Sequence, residues 1–293
     1  MKKIFSLLLI SMSAGGLFAL SMGNPTEASL YSQGLWCNSG GCSDPCDPCF
    51  NWCDAWSVRL GFRGDYVFNR HLKSNDFQPV SSSTVDRAEI STNAAYLVLN
   101  ICDRVDVFAT LGATSIFIRE DSASILPDTV GAGIGTLHFA TDFSWSVGGR
   151  ATLWECGCFG IGLEGEYFST HPELNFLNIA SFIFNRKGST HYKEWQVGLG
   201  ASYLLCLGCP NICLVPYTGV TWSGCTLDEF IAQSIVTFNG GVSQPARIAA
   251  LENQKLWSYV IGTSLTFCDS FGLNLEGRFA AEKAVSVTGQ FRF

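Results

Sequence analysis

The chain has 293 residues, with 18 Lys and Arg against 25 Asp and Glu, a net charge of −7 and 47% hydrophobic residues. Charged residues make up only 15% and the mean hydropathy is +0.21, which is apolar for a soluble domain of this size. The acidic balance without a basic stripe excludes nucleic acid as a partner; beyond the N-terminal leader there is no apolar run of about eighteen residues, which excludes a transmembrane helix.

The leader reads MKKIFSLLLISMSAGGLFAL. Lys2 and Lys3 precede the apolar stretch Ile4–Ile10 and then small residues, the layout of a secretory signal peptide over residues 1–19 with cleavage after Ala19. Residues 20–54 are expected to form a periplasmic cysteine-rich segment. Its stretch CNSGGCSDPCDPCFNWC places Cys37, Cys42, Cys46, Cys49 and Cys53 within seventeen residues.

From residue 55 to 293 the apolar residues alternate with polar ones. Val58, Leu60, Phe62, Tyr66 and Phe68 share a side opposite Arg59, Arg63 and Asp65. Val105, Val107, Ala109, Leu111 and Ala113 repeat the pattern, as do Phe143, Trp145, Val147, Ala151 and Leu153 opposite Ser144, Ser146 and Arg150. Ile161, Leu163 and Tyr167 oppose Glu164 and Glu166, and Trp195, Val197 and Leu199 oppose Gln196. Trp257, Tyr259 and Ile261 follow, then Phe271, Leu273, Leu275 and Phe279 opposite Asn274, Glu276 and Arg278. The C-terminus AVSVTGQFRF alternates too and stops on Phe, with Phe291 and Phe293 on its apolar side, as in the last strand of a bacterial outer-membrane barrel. Period two over such lengths indicates strands. A chain that is apolar on average but never in long runs indicates a transmembrane antiparallel β-barrel, whose lipid-facing and lumen-facing residues alternate.

Connections alternate between short and long. Short ones lie near 102–103, 156–158, 206–213 and 268–270, and long ones cover roughly 70–89, 119–141, 169–190 and 224–254. The expected strands lie near 56–69, 90–100, 104–118, 142–153, 158–168, 191–205, 213–223, 255–268, 271–281 and 284–293. Apolar pieces IASFIF and QSIVTF inside the long connections allow further strands, so the expectation is ten, within an even range up to sixteen. Short turns belong to the periplasmic side of such barrels and long loops to the outside.

Each short turn carries cysteine: Cys102, Cys156 with Cys158, Cys206 with Cys209 and Cys213, and Cys268. These and the N-terminal cluster would share the periplasmic rim. Thirteen cysteines in an exported chain point to disulfides within and between chains, and the odd number leaves at least one thiol free or linked to another molecule. The CxxC pairs Cys46/Cys49 and Cys206/Cys209 also have zinc or redox spacing, but lack a zinc-ribbon or βαβ setting. Connectivity does not follow from the sequence.

The polar strand faces offer Arg59, Arg63, Asp65, Arg150, Glu164, Glu166, Glu276 and Arg278 as pore-lining candidates. On the lipid side a mid-depth Arg would cost about 2–4 kcal/mol, so the lumen is their place. There they either set up a field across the pore or neutralize one another. Trp56, Tyr66, Trp145, Trp154, Trp195, Trp222 and Trp257 suit interfacial girdles. His71, His138, His171 and His191 fall in or beside the long connections, and no GxSxG, HExxH or phosphate loop is present. No catalytic residue, metal site or cofactor is expected.

GNPTEASL, DPCDPCFNWCDAWSVRLGFRGDYVFNR, NICDRVDVFATLGAT, TDFSWSVGGRATLWECGC, YKEWQVGLGASY and the final GQFRF resemble, in the same order, segments of the chlamydial major outer membrane protein family. The chain resembles a shorter member with losses in the long external loops. The resemblance implies a homotrimeric porin in outer-membrane lipid that passes small hydrophilic solutes by diffusion. It also implies a disulfide-crosslinked part of an envelope built with cysteine-rich proteins, with Cys46, Cys49, Cys53, Cys156 and Cys158 among the linking residues. The second reading is a non-conducting barrel with a structural or adhesive role.

Overall fold

The period-two segments form ten antiparallel wall strands in a computed structural model that describes residues 20–31, 56–74, 85, 87–120, 135–179, 182–185, 188–206, 212–232, 246–248, 250–267 and 270–293. The strands are β1 (Trp56–Arg70), β2 (Arg87–Ile101), β3 (Val105–Glu120), β4 (Asp142–Cys156), β5 (Phe159–Thr170), β6 (Tyr192–Tyr203), β7 (Ile212–Leu227), β8 (Trp257–Phe267), β9 (Phe271–Ala280) and β10 (Glu282–Arg292). Each pairs with its sequence neighbor, and β1 pairs with β10 from Arg59↔Arg292 to Arg70↔Glu282, closing the barrel. The expectation of ten strands holds. Closure satisfies every edge, as a lipid-embedded sheet requires.

The short turns have local causes. In the β2–β3 turn, Cys102 and Asp103 both adopt positive φ (54° and 50°), and the Arg104 amide donates to the Ile101 carbonyl at 3.1 Å. Asn100 Oδ1 accepts from the Asp103 amide at 3.1 Å. Gly157, at φ 60°, turns β4 into β5 without the penalty a Cβ would bring.

All four of the expected long connections carry short strands of their own. Gly135–Phe139 pairs with the last residues of β3, Phe117–Glu120, and Leu174–Ile179 and Phe182–Asn185 follow beside it in turn. Leu72–Ser74 pairs with Leu251–Asn253, and Phe230–Ala232 pairs with Ala246–Ile248. IASFIF is thus divided between two strands, whereas QSIVTF lies outside the described residues. β7 runs on to Leu227, past the expected end near 223.

Inside the long-connection end, these pieces and the strand ends share one apolar cluster. It includes Val67, Leu72, Ile90, Ile116, Ile118, Leu137, Phe139, Phe168, Leu174, Leu227, Phe230 and Leu251. Outside, the opposite strand faces expose Leu60, Phe62, Leu111, Phe143, Leu199, Tyr259, Ile261 and Phe279. Trp56, Trp145, Trp154, Trp195, Trp222 and Trp257 also face outward, while Tyr66 is half-buried against the apolar cluster. Trp222 stacks on Trp257 with centroids 5.9 Å apart and meets Trp195 edge-on at 5.4 Å.

Residues 20–31 lie inside the barrel rather than below it. Met22, Asn24 and Ala28 are fully buried there, and Glu27–Ser29 form a single 3-10 turn. The expected periplasmic position of the segment from residue 20 therefore does not apply to this part. Residues 1–19 and the cysteines from Cys37 to Cys53 lie outside the described residues.

Leu111, 59% exposed midway along β3, tests the lipid face. Leu111→Arg should lower the stability of the barrel folded into bilayers by about 2–4 kcal/mol, measured by urea titration. An unchanged midpoint would show that this face is not in hydrocarbon.

Candidate functional site

The lumen is a lattice of arginines and carboxylates on alternate residues of the wall strands. Next to the short turns, Arg59 pairs with Asp106, and Asn100 Nδ2 donates to Asp106 Oδ1 at 2.8 Å. Arg150 Nε donates to Glu164 Oε2 at 2.5 Å, and its Nη1 meets Glu27 and lies 3.8 Å from Asp106 Oδ2. The last strand is tied to the first turn by Arg292 Nη1 and Asp103 Oδ1, 3.0 Å apart. In that turn, outside the spanning strands, burial pushes the Asp103 carboxyl above its usual range even with Arg292 beside it.

At mid-height Arg63 forks onto Glu166 with bonds of 3.0 and 2.9 Å. Arg278 reaches Asp65 at 2.7 Å, Glu276 at 3.0 Å and Glu282 at 2.6 Å. Tyr217 donates to Asn274 Oδ1 at 2.8 Å and to Glu276 Oε2 at 3.0 Å. Toward the long connections, Arg70 Nη1 lies 2.6 Å from Glu194 and 3.6 Å from Glu282, and its Nε donates to Asn253 Oδ1 at 3.0 Å. Tyr192 completes this layer, donating to Glu194 Oε2 at 2.7 Å.

All eight residues proposed from sequence as pore-lining face the interior: Arg59, Arg63, Asp65, Arg150, Glu164, Glu166, Glu276 and Arg278 are 0–7% exposed. None lines open water. Beside Leu20, Arg63, Asp65, Glu166 and Tyr192 there is a void of about 30 Å³, room for a water molecule or two. Burial of these charges is tolerable because each has an opposite partner within bonding distance. Sequence reasoning missed Glu27, Arg70, Asp106, Glu194 and Glu282. Asp106 and Glu194 were legible by the same alternation, since they sit between outward Val105 and Val107 and one residue before outward Trp195. Glu27 lies in no alternating stretch and carried no such signal.

The cysteines are less fully placed. Cys156 and Cys158 are exposed at the β4–β5 turn and Cys102 is half-exposed at the β2–β3 turn, at the same end of the barrel, each with a free thiol. Cys206 lies opposite Cys213 in the register of Leu205–Cys206 with β7, at that end too. Cys209, Cys268 and the cluster Cys37, Cys42, Cys46, Cys49 and Cys53 fall outside the described residues. Cys225, not singled out from sequence, is buried and donates to Asn253 Oδ1 at 2.7 Å. At the terminal strand, Phe291 faces outward and the Phe293 amide donates to the Val58 carbonyl at 2.9 Å.

A family model described as "Chlamydia major outer membrane protein" matches residues 1–84, 76–131 and 126–187. The chain is 35% identical to a major outer membrane porin of Chlamydia pneumoniae over 397 aligned positions covering 100% of both chains. It is 33% identical to the serovar F major outer membrane porin of Chlamydia trachomatis, again over 100% of both. Alignments of this length against 293 residues mean that the relatives carry long insertions relative to this chain. Among solved structures, the translocator domain of the autotransporter NalP from Neisseria meningitidis is similar with a TM-score of 0.41 and 12% identity, over 86% of this chain and 91% of that one.

The lattice predicts a large penalty for breaking one node. Arg150→Met leaves Glu27, Glu164 and Asp106 facing one another, and should destabilize the folded barrel by about 3–5 kcal/mol in urea titrations. Arg150→Lys, which keeps the charge but not the fork, should fall between. A shift under about 1 kcal/mol for Arg150→Met would mean that water, not Arg150, solvates those carboxylates.

Proposed function

The chain belongs to the Chlamydia major outer membrane protein family, and from this we propose that it is an outer-membrane porin passing small hydrophilic solutes and ions by diffusion. The observation that carries the proposal is the full-length relation to proteins named major outer membrane porin, joined to a closed barrel with an apolar exterior and a charged interior. Selectivity would come from lumen width and wall charge, with no cofactor and no dedicated binding site. Assembly as a homotrimer, and links to cysteine-rich envelope proteins through the thiols of the short-turn end, are part of the proposal. The exposure of Cys156 and Cys158 supports the second of these.

A second reading, a non-conducting barrel with a structural or adhesive role, has one observation in its favor: the lumen is filled. The two separate in planar bilayers. The purified wild-type protein should give discrete conductance steps; their absence at every oligomeric state would leave the structural reading. Given steps, Arg63→Glu places a second carboxylate against Glu166 and should move the reversal potential toward cation preference. An unmoved potential would remove Arg63 as a determinant. On nonreducing gels of whole envelopes the protein should run as multimers that collapse to one band with a thiol reductant; a single band under both conditions would refute the crosslinking role.

A further inference from the structure

The segment Leu20–Tyr31 is held by the wall through its whole length. Its amides at Met22 and Gly23 donate to the two oxygens of Glu276 at 3.0 and 2.6 Å. Its carbonyls accept from Arg63 (Ser21, 2.6 Å), Arg150 (Met22, 3.4 Å), Arg59 (Glu27, 3.2 Å) and Asn100 (Ala28, 2.9 Å). Its side chains add Asn24 to Ser264 at 3.1 Å, Thr26 to Ser202 at 2.5 Å, Ser21 to Ser286 at 2.8 Å, and Glu27 to both Arg150 and Gln290. The Arg59 guanidinium lies 4.7 Å from the Tyr31 ring centroid. Partners thus come from both halves of the barrel.

The wall is also shaped to receive it. At inward positions of β5, β6, β7 and β9 stand glycines where side chains would otherwise fill the lumen. A Cβ on Gly162 would lie 1.8 Å from the Pro25 carbonyl oxygen, and one on Gly272 would lie 1.7 Å from the Tyr31 hydroxyl. On Gly200 it would come within 2.7 Å of the Met22 methyl, and on Gly198 or Gly219 within 2.9 Å of its sulfur. Together these glycines form a trough with the outline of the segment. A trough matched by shape and by hydrogen bonds to one stretch of the same chain is a docking site, not general packing.

We infer that Leu20–Tyr31 is a built-in plug of the short-turn part of the barrel, and that conduction requires this plug to leave its trough as well as the apolar cluster at the other end to part. The inference rests on the porin reading. Apolar side chains close the long-connection end, but from Leu20 down to the short turns the segment is what occupies the axis. Its bonds to Glu276, Arg63, Arg150 and Ser202 are polar, so water can replace each when it leaves, as it could not for an apolar core. The trough would then be the short-turn part of an aqueous path, lined by glycine backbone and by Arg59, Arg150 and Glu276, which continues where the apolar side chains of the other end part.

The test locks the plug in the full chain. Thr26→Cys with Ser202→Cys puts two sulfurs where hydroxyl oxygens now lie 2.5 Å apart, close to the disulfide length of about 2 Å. Peptide mapping of oxidized membranes should find a link between positions 26 and 202, and its absence would overturn the seating. In planar bilayers the linked protein should give no conductance steps, and reduction should restore those of wild type under the same reductant. Steps from the linked protein equal to wild type would overturn the plug while leaving the porin reading intact. Silence of the wild type and of the reduced variant would instead overturn the porin reading itself. Gly162→Ala gives an independent check of the seating: added to the double-cysteine variant it should unseat the segment and cut the yield of the 26–202 link several-fold, and an unchanged yield counts against the docking.

Discussion

Hydrocarbon offers no water to the N–H and C=O groups along the edge of a sheet, so a sheet placed there must bond its two edges to each other. The seam between β1 and β10 does this over Arg59–Arg70 and Glu282–Arg292, and what lies inside follows from it. Closure at ten strands turns every second residue toward a narrow axis. Barrels of about eight strands are already filled by side chains, and ten leave space for little beyond one extra length of chain. The polar faces that would be wetted on an open sheet are here brought against one another.

Charges brought together in this way must neutralize each other, and the pattern of the lattice shows how. Arg278 gathers three carboxylates from β1, β9 and β10, and Arg150 meets carboxylates from β3, β5 and the inner segment. Each arginine therefore joins elements far apart in sequence, and the planar guanidinium serves several acceptors at once where an ammonium would favor one. Such nodes are weak sources of net stability, since desolvation offsets much of the attraction, yet losing one partner is expensive. They fix which residue faces which.

The wall was legible in the sequence because its period is physical: lipid outside and a polar lumen inside force alternation at every second residue. The strand bounds fall within a few residues of those expected, and Arg63, Glu166 and Arg278 were found by facing alone. Their pairing was not legible, because alternation says which side a residue takes but not its height on the neighboring strand. The short strands at Gly135–Phe139, Leu174–Ile179 and Leu251–Asn253 are too brief to show a period, and pair with other connections rather than with the wall alone. Least legible was the place of Leu20–Tyr31. Its recognition is written in the trough, in glycines scattered over β5, β6, β7 and β9, and only the folded barrel brings them side by side.

The order of synthesis gives the inner segment a further meaning. Leu20–Tyr31 is made well before Glu276 and Gln290, which hold Met22, Gly23, Glu27 and Tyr31. The same is true of the seam, where the first wall strand waits for the tenth. Loop-closure entropy rises only slowly with separation, so such distant partners are thermodynamically reachable, but they cannot be met early. Throughout export the segment travels without its trough, and β9 and β10 arrive to complete the enclosure and its contents together. A chain halted before Glu276 would have an open edge and, at its other end, a segment with nowhere to dock.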